Sequence, residues 1–245
     1  MFPIDQNLQD GQGAESVKAA VAAAIAGRVG RFDGGVLLVA VSKTRPIGDI
    51  KHAFLNGLRH FGENYVQESV EKITALADLR IDQVDGIIQW HLIGPLQSNK
   101  AKLAATHFDW VQTVAGEKIA DLLHTHRPDS SAPLNVLIQV NISGETAKSG
   151  TRPDAISTLA NHILKLPKLR LRGLMAIVEN VSEESILRHQ YGQMRQLFDE
   201  TQKNHPQFDT LSMGMSQDYT IAIDEGATMV RVGRAIFGAR ATVHG

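Results

Sequence analysis

The sequence has 245 residues, 43% of them hydrophobic, which is enough to bury one large core or two small ones. Its 25 Lys and Arg residues nearly balance 26 Asp and Glu residues and form no basic tract, so neither nucleic acid nor an anionic membrane is the default partner. The absence of cysteine excludes disulfides, thiolate nucleophiles and zinc-thiolate sites. No secretory signal begins the chain, and no stretch approaches the roughly 18 apolar residues that span a bilayer. These features predict a soluble cytoplasmic protein.

Helix-like and strand-like segments alternate along the chain. An opening helix is predicted at about 12–30, because five apolar residues recur at helical spacing: Val17, Ala20, Val21, Ala24 and Ile25. Eight strands are predicted, several of them apolar on both faces, as parallel strands covered by helices are. They lie at about 36–43, 59–63, 87–94, 109–114, 134–142, 169–178, 210–214 and 229–233. Helix-patterned segments fill every gap, the first of them ending at Gly57.

This alternation predicts the fold class. It runs through the chain with no Pro/Gly/Ser-rich linker, so we expect one α/β domain over residues 1–245. Within it, a single (β/α)8 TIM-type barrel at about 36–238 follows the N-terminal helix. An open doubly wound sheet of the same strands is the structural alternative.

The segment "VLLVAVSKTRP" places Lys43 at the end of the first, apolar strand. In a (β/α)8 barrel the functional residues lie where strands end, on the C-terminal face. One interpretation of Lys43 is a side chain that extends from the strand end into solvent. The other is an amine desolvated at the barrel mouth, with its pKa lowered so that it can form a Schiff base with a carbonyl group.

The loops after strands seven and eight, "LSMGMSQDY" and "RVGRAIFG", carry the residue types of a phosphate site. Gly214 would let backbone N–H groups approach an anion, while Ser216 offers a hydroxyl and an N-cap for a helix from Gln217. Gly233 opens the second loop beside Arg234. A strand-one lysine and a phosphate site together suit a phosphorylated aldehyde, of which pyridoxal 5'-phosphate (PLP) is the common one.

Arg231 interrupts the apolar "MVRV" of strand eight, where a buried guanidinium needs an acceptor. One interpretation is a structural ion pair with a neighbouring carboxylate. The other is a hydrogen bond to the pyridine nitrogen of PLP. That bond would keep the nitrogen unprotonated and make the cofactor a poor electron sink.

A series of motifs spreads over nearly the whole chain: "AVSKTRP", "HFGENYVQE", "WHLIGPLQSNK", "DWVQTV", "LNVLIQVNIS", "KSG", "LRGLMAI", "LSMGMS" and "MVRVGRAIFG". In this order they resemble the pyridoxal phosphate homeostasis proteins, the YggS/PROSC family. The resemblance implies a barrel like the N-terminal domain of alanine racemase, a fold type III PLP protein, with PLP held as a Schiff base on Lys43.

The resemblance also implies roles for other residues. Arg231 would contact the pyridine nitrogen, Ser216 and Gly233 would contact the phosphate, and Asn64 of "GENY" would lie near the cofactor. Family members often carry a small hydroxyl residue at the position of Arg234, and an arginine there could pair with phosphate at least as strongly.

The predicted function is PLP homeostasis, with reversible binding through Lys43 that buffers the reactive aldehyde or hands it to PLP-dependent apoenzymes, and with little or no catalysis. Racemases of similar fold take a catalytic tyrosine from a second domain through which they dimerise. Only seven residues follow Gly238, so we expect no such domain and a monomer. The chain's own tyrosines lie within the barrel segments: Tyr65, Tyr191 and Tyr219.

The alternative is a PLP-dependent amino-acid racemase or lyase that uses Lys43 and a second base in the barrel. The candidates for that base are Lys148 of "ETAKSG" and His91 of "WHLIG". Lys148 could equally be a solvated loop lysine or hold a second cofactor molecule transiently, and His91 could be a hydrogen-bonded barrel histidine. No metal-ligand motif occurs in the sequence, so we expect no metal site.

Overall fold

Eight parallel strands close into a barrel in chain order, which confirms the predicted (β/α)8 fold. The computed structural model describes residues 12–27, 34–80, 86–142, 149–178 and 183–238. The strands are β1 (Leu37–Val41), β2 (His60–Glu63), β3 (Gln89–Leu92), β4 (Trp110–Val114), β5 (Leu134–Val140), β6 (Leu169–Ala176), β7 (Thr210–Ser212) and β8 (Met229–Val232). Because β8 pairs with β1, the alternative of an open doubly wound sheet is wrong.

Helices cover the outside of the barrel. Within the described residues they are α1 (Gln12–Gly27), α2 (Ile47–Leu55), α3 (Val66–Ala75), α4 (Ala101–His107), α5 (Glu117–His126), α6 (Ile156–Ile163), α7 (Glu184–Asn204), α8 (Tyr219–Asp224) and α9 (Arg234–Phe237). Three short 3-10 turns accompany them: Ala77–Arg80, Ser98–Lys100 and Pro153–Ala155. None of the helices in these ranges has the length and apolar character needed to cross a membrane.

The helix α1 precedes the barrel and packs against α8 and α9, at the end of the chain. Its buried face carries Val17 and Val21. Gly13 lies so close to α9 that an added Cβ would be 2.5 Å from the carbonyl oxygen of Ile236. Residues 28–30 of the predicted opening helix lie outside the described residues.

Side chains alternate between two apolar layers, because successive residues of a strand point to opposite faces. The outward residues pack under the helices, as Ala40, Val136, Leu174 and Val230 do. A smaller inward cluster fills the barrel, with Val39, Trp110, Leu137, Met175 and Met229. Val41 and Lys43 continue the inward series of β1, which directs Lys43 toward the mouth of the barrel.

Candidate functional site

A cavity of about 710 Å³ opens at the carboxyl ends of β1, β7 and β8. Five residues singled out from the sequence line it: Lys43, Ser216, Arg231, Gly233 and Arg234. Its other lining residues are Val41, Arg45, Met215, Gln217, Asp218 and Gly238. The cavity is therefore rich in cations, with Asp218 as the acidic residue of the lining, and suits a ligand that carries negative charge.

Asn64, His91 and Gly214, which the sequence analysis named, do not line the cavity. Lys148 lies outside the described residues. Neither Tyr65, which is 57% exposed, nor Tyr219, which begins α8, lines it. Tyr191, 1% exposed on α7, is not a lining residue but lies near two of them, since Asp218 and Arg231 both shift the pKa of its hydroxyl.

Behind Lys43, on the outer side of the sheet, lies a group of charges that we call the Lys43 clamp: Glu63 and Lys72, which are buried, and Glu68, which is half-buried. The Lys72 ammonium lies near three groups: the Ser42 carbonyl oxygen at 2.9 Å, the Glu63 carboxylate at 2.9 and 3.1 Å, and Glu68 Oε1 at 2.6 Å. The Ser42 hydroxyl also donates to Glu63 Oε1 at 2.6 Å. Burial raises the pKa of Glu63, against the opposing effect of Lys72.

The clamp forms hydrogen bonds to the residues on both sides of Lys43. On one side Ser42 is bound by Lys72 and Glu63. On the other side the Thr44 amide donates to Glu68 Oε1 at 2.7 Å. Thr44 has φ +61°, a left-handed conformation that costs a β-branched residue energy and persists only where the surroundings enforce it. The lysine thus stands on a backbone segment whose conformation is fixed by charged side chains outside the cavity.

Arg231 is buried in β8, which pairs with the strand that carries Lys43. Its guanidinium donates to two neutral acceptors, Ser212 Oγ at 2.6 Å and the Ala176 carbonyl oxygen at 2.8 Å. Among the described residues no ion pair within 4 Å involves Arg231, although the Asp218 carboxylate is near enough to raise its pKa, so a structural pairing with Asp218 remains the alternative. Burial is the larger effect and lowers the pKa of Arg231 to about 10. The remaining N–H bonds of Arg231 can donate to an acceptor on a ligand.

The two loops at the far side of the cavity are joined by a hydrogen bond. Gly233 N donates to Ser216 Oγ at 3.1 Å, so the β7 loop and the β8 loop share one short cradle. Gly214 enters this cradle with φ +93°, and a Cβ there would lie 2.5 Å from Cβ of Ala222. Only glycine fits this position, because a Cβ would clash with α8 and the backbone is left-handed.

The prediction that Ser216 caps a helix from Gln217 is wrong. The helix α8 begins at Tyr219, with Asp218 in the N-cap position. The Ser216 hydroxyl instead accepts from Gly233, while Asp218 Oδ1 accepts from Met215 N at 2.5 Å. Serine and aspartate are both favourable N-cap residues. Because the Ser216 hydroxyl is bonded to Gly233 of the other loop, Asp218 takes the N-cap position.

His91 lies inside the barrel rather than in the cavity. It is fully buried and stacks on Trp110 with 5.1 Å between ring centroids. Its Nε2 lies 2.9 Å from Nδ1 of His60, and its Nδ1 lies 3.0 Å from Nε2 of Gln112. Burial lowers the pKa of His91 well below its ordinary value, so the ring is neutral. This is the arrangement of a hydrogen-bonded barrel histidine.

The sequence analysis did not single out the clamp, nor Gln112 and Ser212 inside the barrel. A signal existed for some of them: Glu63 and Glu68 fall within the motif "HFGENYVQE", and Lys72 follows Glu68 by one helical turn. Gln112 and Ser212 are polar residues in otherwise apolar strands, which is a weaker indication.

Comparison with known proteins agrees with this geometry. Residues 19–241 match the family described as alanine racemase, N-terminal domain. The match covers most of the chain and defines the class of protein: a barrel of the alanine racemase N-terminal type.

Closer relatives narrow the class. A pyridoxal phosphate homeostasis protein of Pasteurella multocida is 51% identical over 212 residues, 86% of this chain and 89% of the relative. The protein of the same name from Haemophilus influenzae is 52% identical over 215 residues, 86% of this chain and 87% of the relative. PipY of Synechococcus elongatus, solved with PLP bound, is 32% identical with a TM-score of 0.79, over 94% of this chain and 100% of that one. This chain belongs to the pyridoxal phosphate homeostasis protein family.

Proposed function

We propose that this chain binds PLP reversibly as a Schiff base on Lys43 and takes part in PLP homeostasis, buffering or delivering the cofactor with little or no catalysis. The names of its relatives and the PLP in the PipY structure support this function. We propose further that the whole chain acts as one PLP-binding domain.

The observation that carries the proposal is the fit between one cavity and the three polar parts of PLP. The Lys43 amine is half-buried at the mouth, where an aldehyde could reach it. Ser216 and Gly233 line the cavity side by side and offer a hydroxyl and a glycine backbone, which suit a phosphate group. Arg231 is a buried donor whose hydrogen-bond acceptors in the described residues are neutral, which suits the pyridine nitrogen as a further acceptor.

The proposed bond is reversible and needs no further reactant. The neutral Lys43 amine adds to the aldehyde carbon, a C=N bond forms, and the aldehyde oxygen leaves as water with the two amine hydrogens. Addition of water to the C=N bond returns the free aldehyde and the amine. PLP supplies the aldehyde, and the chain supplies the amine, the phosphate cradle and the donor to the ring.

Two features favour holding the cofactor over turning over an amino acid. The rival function needs a second base beside Lys43. His91 is buried, neutral and committed to His60 and Gln112, and burial raises the pKa of the Tyr191 hydroxyl far above its ordinary value, so it does not act as a base at neutral pH. Arg231 as donor to the ring nitrogen would also weaken the ring as an electron sink.

The test is replacement of Lys43 by alanine. We expect wild-type protein with added PLP to show the visible absorbance of a Schiff base, and borohydride to fix a pyridoxyl group on the peptide that contains Lys43. Lys43→Ala should lose both signals and keep the far-UV circular dichroism of the fold. Lys118→Ala is the matched control, because Lys118 is an exposed lysine on α5. An unchanged spectrum in Lys43→Ala would overturn the assignment.

The recipient and the setting belong to the same proposal. We propose that PLP-dependent apoenzymes receive the cofactor, that the chain acts as a monomer in the cytoplasm, and that Arg234, exposed at the rim of the cavity, assists the phosphate. We place Asn64 near the cofactor on the family resemblance. The absence of cysteine supports the cytoplasmic setting.

A further inference from the structure

A line of five polar side chains crosses the interior of the barrel, from the cavity to the amino-terminal end of β2. We call Arg231, Ser212, Gln112, His91 and His60 the interior chain. Arg231 lies 2.6 Å from Ser212 Oγ, which lies 2.7 Å from Gln112 Oε1. Gln112 Nε2 lies 3.0 Å from His91 Nδ1, and His91 Nε2 lies 2.9 Å from His60 Nδ1. The interior of a barrel is usually filled by branched apolar side chains, so this line is unusual.

The interior chain has a single direction, because arginine can only donate. The Ser212 oxygen accepts from Arg231, which leaves its hydrogen to donate to the Gln112 carbonyl oxygen. The Gln112 amide nitrogen then donates to His91 Nδ1 and to Met229 Sδ, 3.1 Å away. His91 therefore carries its proton on Nε2 and donates to His60. Every bond points away from Arg231.

This direction requires both imidazoles to be neutral, and burial keeps them in the neutral form. Burial lowers the pKa of His60 to about 4 and lowers that of His91 well below its ordinary value. Trp110 stacks on His91 at an interplanar angle of 12°, which fixes the plane of the ring. The interior chain is thus rigid as well as directed, and Gln112 is its central link.

We infer that Gln112 is a positioning residue for Arg231: held by His91, it orients Ser212 and thereby fixes the guanidinium so that its unused N–H bonds face the cavity. Three of the five N–H bonds of Arg231 remain after the bonds to Ser212 and the Ala176 carbonyl oxygen. A guanidinium fixed in this way accepts only a ligand atom that is itself an acceptor. The inference rests on the proposed function, in which that atom is the unprotonated ring nitrogen of PLP.

The test compares three substitutions in the full chain. Gln112→Leu removes both links of the interior chain at similar volume. Gln112→Glu keeps an acceptor for Ser212 but can only accept from His91, so it preserves the Arg231 half and reverses the tautomers of both histidines. Gln139→Leu is the matched control, since Gln139 is a buried β5 glutamine that bonds to the Ser149 carbonyl oxygen instead.

Two measurements compare these variants with wild type: the protonation sites of the histidines and the Kd for PLP. In the protein without PLP, nitrogen NMR of labelled histidine should show His91 and His60 protonated on Nε2 in wild type, and His91 protonated on Nδ1 in Gln112→Glu. In PLP titrations, Gln112→Leu should raise Kd roughly tenfold, as expected for the loss of one hydrogen bond to a charged group. Gln139→Leu should stay within about twofold of wild type, which is below the effect of one such bond.

The outcomes separate this inference from the proposed function. If wild type takes up PLP but Gln112→Leu binds it equally well, the positioning role is wrong and the proposed function stands. A wild-type His91 protonated on Nδ1 would overturn the direction of the interior chain. Failure of wild type to take up PLP would overturn the proposed function and the positioning role with it. If Gln112→Leu does not fold, Ser212→Ala, which removes one hydroxyl, must show the same rise in Kd.

Discussion

At the scale of single residues, the geometry of Lys43 depends on side chains that never enter the cavity. The clamp buries an ammonium and a carboxylate, which costs desolvation energy that only complete pairing offsets. Lys72 meets this condition, because its ammonium is surrounded by the Ser42 carbonyl oxygen and the carboxylates of Glu63 and Glu68. As a result, the backbone is fixed at Ser42 and Thr44, on both sides of Lys43.

Replacement of Lys72 by methionine should therefore destabilise the protein strongly. It leaves the Glu63 carboxylate buried with only the Ser42 hydroxyl as a side-chain donor. We expect a loss of roughly 3 kcal/mol in the free energy of unfolding, measured by urea titration. We also expect slower reaction of Lys43 with PLP in the folded variant. Lys118→Met, at an exposed position, should change neither quantity. Equal urea midpoints for Lys72→Met and wild type would contradict the role given to the clamp.

At the scale of elements, α1 supports from outside the cradle that Ser216 and Gly233 form. It packs against α8 and α9, the helices that follow the β7 and β8 loops. Gly13 allows the close approach to the Ile236 carbonyl oxygen. If α1 shifts its position, α9 should move with it, and the cradle should be displaced because α9 begins one residue after Gly233.

Gly13→Ala tests this support. Its Cβ would lie 2.5 Å from the Ile236 carbonyl oxygen, and backbone must move to make room. We expect a lower Tm and weaker binding of PLP, although alanine is the better helix former. The control in the same helix is Gly27→Ala, where no atom lies within 4 Å of the added Cβ and Tm should stay constant or rise slightly. A Tm for Gly13→Ala at or above that of Gly27→Ala would show that the contact is dispensable.

The elements themselves were largely predictable, since strand-like and helix-like patterns alternate along the chain, and each observed strand falls within its predicted range. The start of α8 was not, because it depends on the contact between Ser216 and Gly233 across two loops. The interior chain was also beyond prediction. Ser212 and Gln112 bond to each other across 100 residues of sequence, and no local pattern records such a pairing.

At the scale of the whole molecule, the buried histidines make stability depend on pH. Burial lowers the pKa of His60 from 6.5 to about 4, so between these values the unfolded chain binds a proton that the folded chain excludes. Stability that His60 contributes is complete above about pH 6.5 and is lost as pH falls toward 4. His91 acts with the same sign, whereas the raised pKa values of Glu63 and Asp109 act against it.

The contribution of His60 is isolated by His60→Gln, which cannot titrate. We expect the free energy of unfolding of wild type to fall more steeply than that of His60→Gln between pH 6.5 and pH 4.5, by up to about 1.4 kcal/mol per pH unit, the value for one proton. The measurement is urea unfolding at a series of pH values. His189→Gln, on the exposed face of α7, should keep the wild-type slope. Parallel curves for wild type and His60→Gln would contradict the exclusion of the proton.

The pairing of β1 with β8 has a consequence for biosynthesis. Leu37 pairs with Met229, so β1 cannot pair with β8 until most of the chain has left the ribosome. Until then the sheet has two open edges, which can pair with other chains. The cavity does not exist in that interval, because Lys43 follows β1 while the cradle joins the loops after β7 and β8. A ligand that contacts both Lys43 and the cradle can stabilise only the closed barrel. It therefore protects the chain only after closure, when the open strand edges that favour aggregation have already been paired.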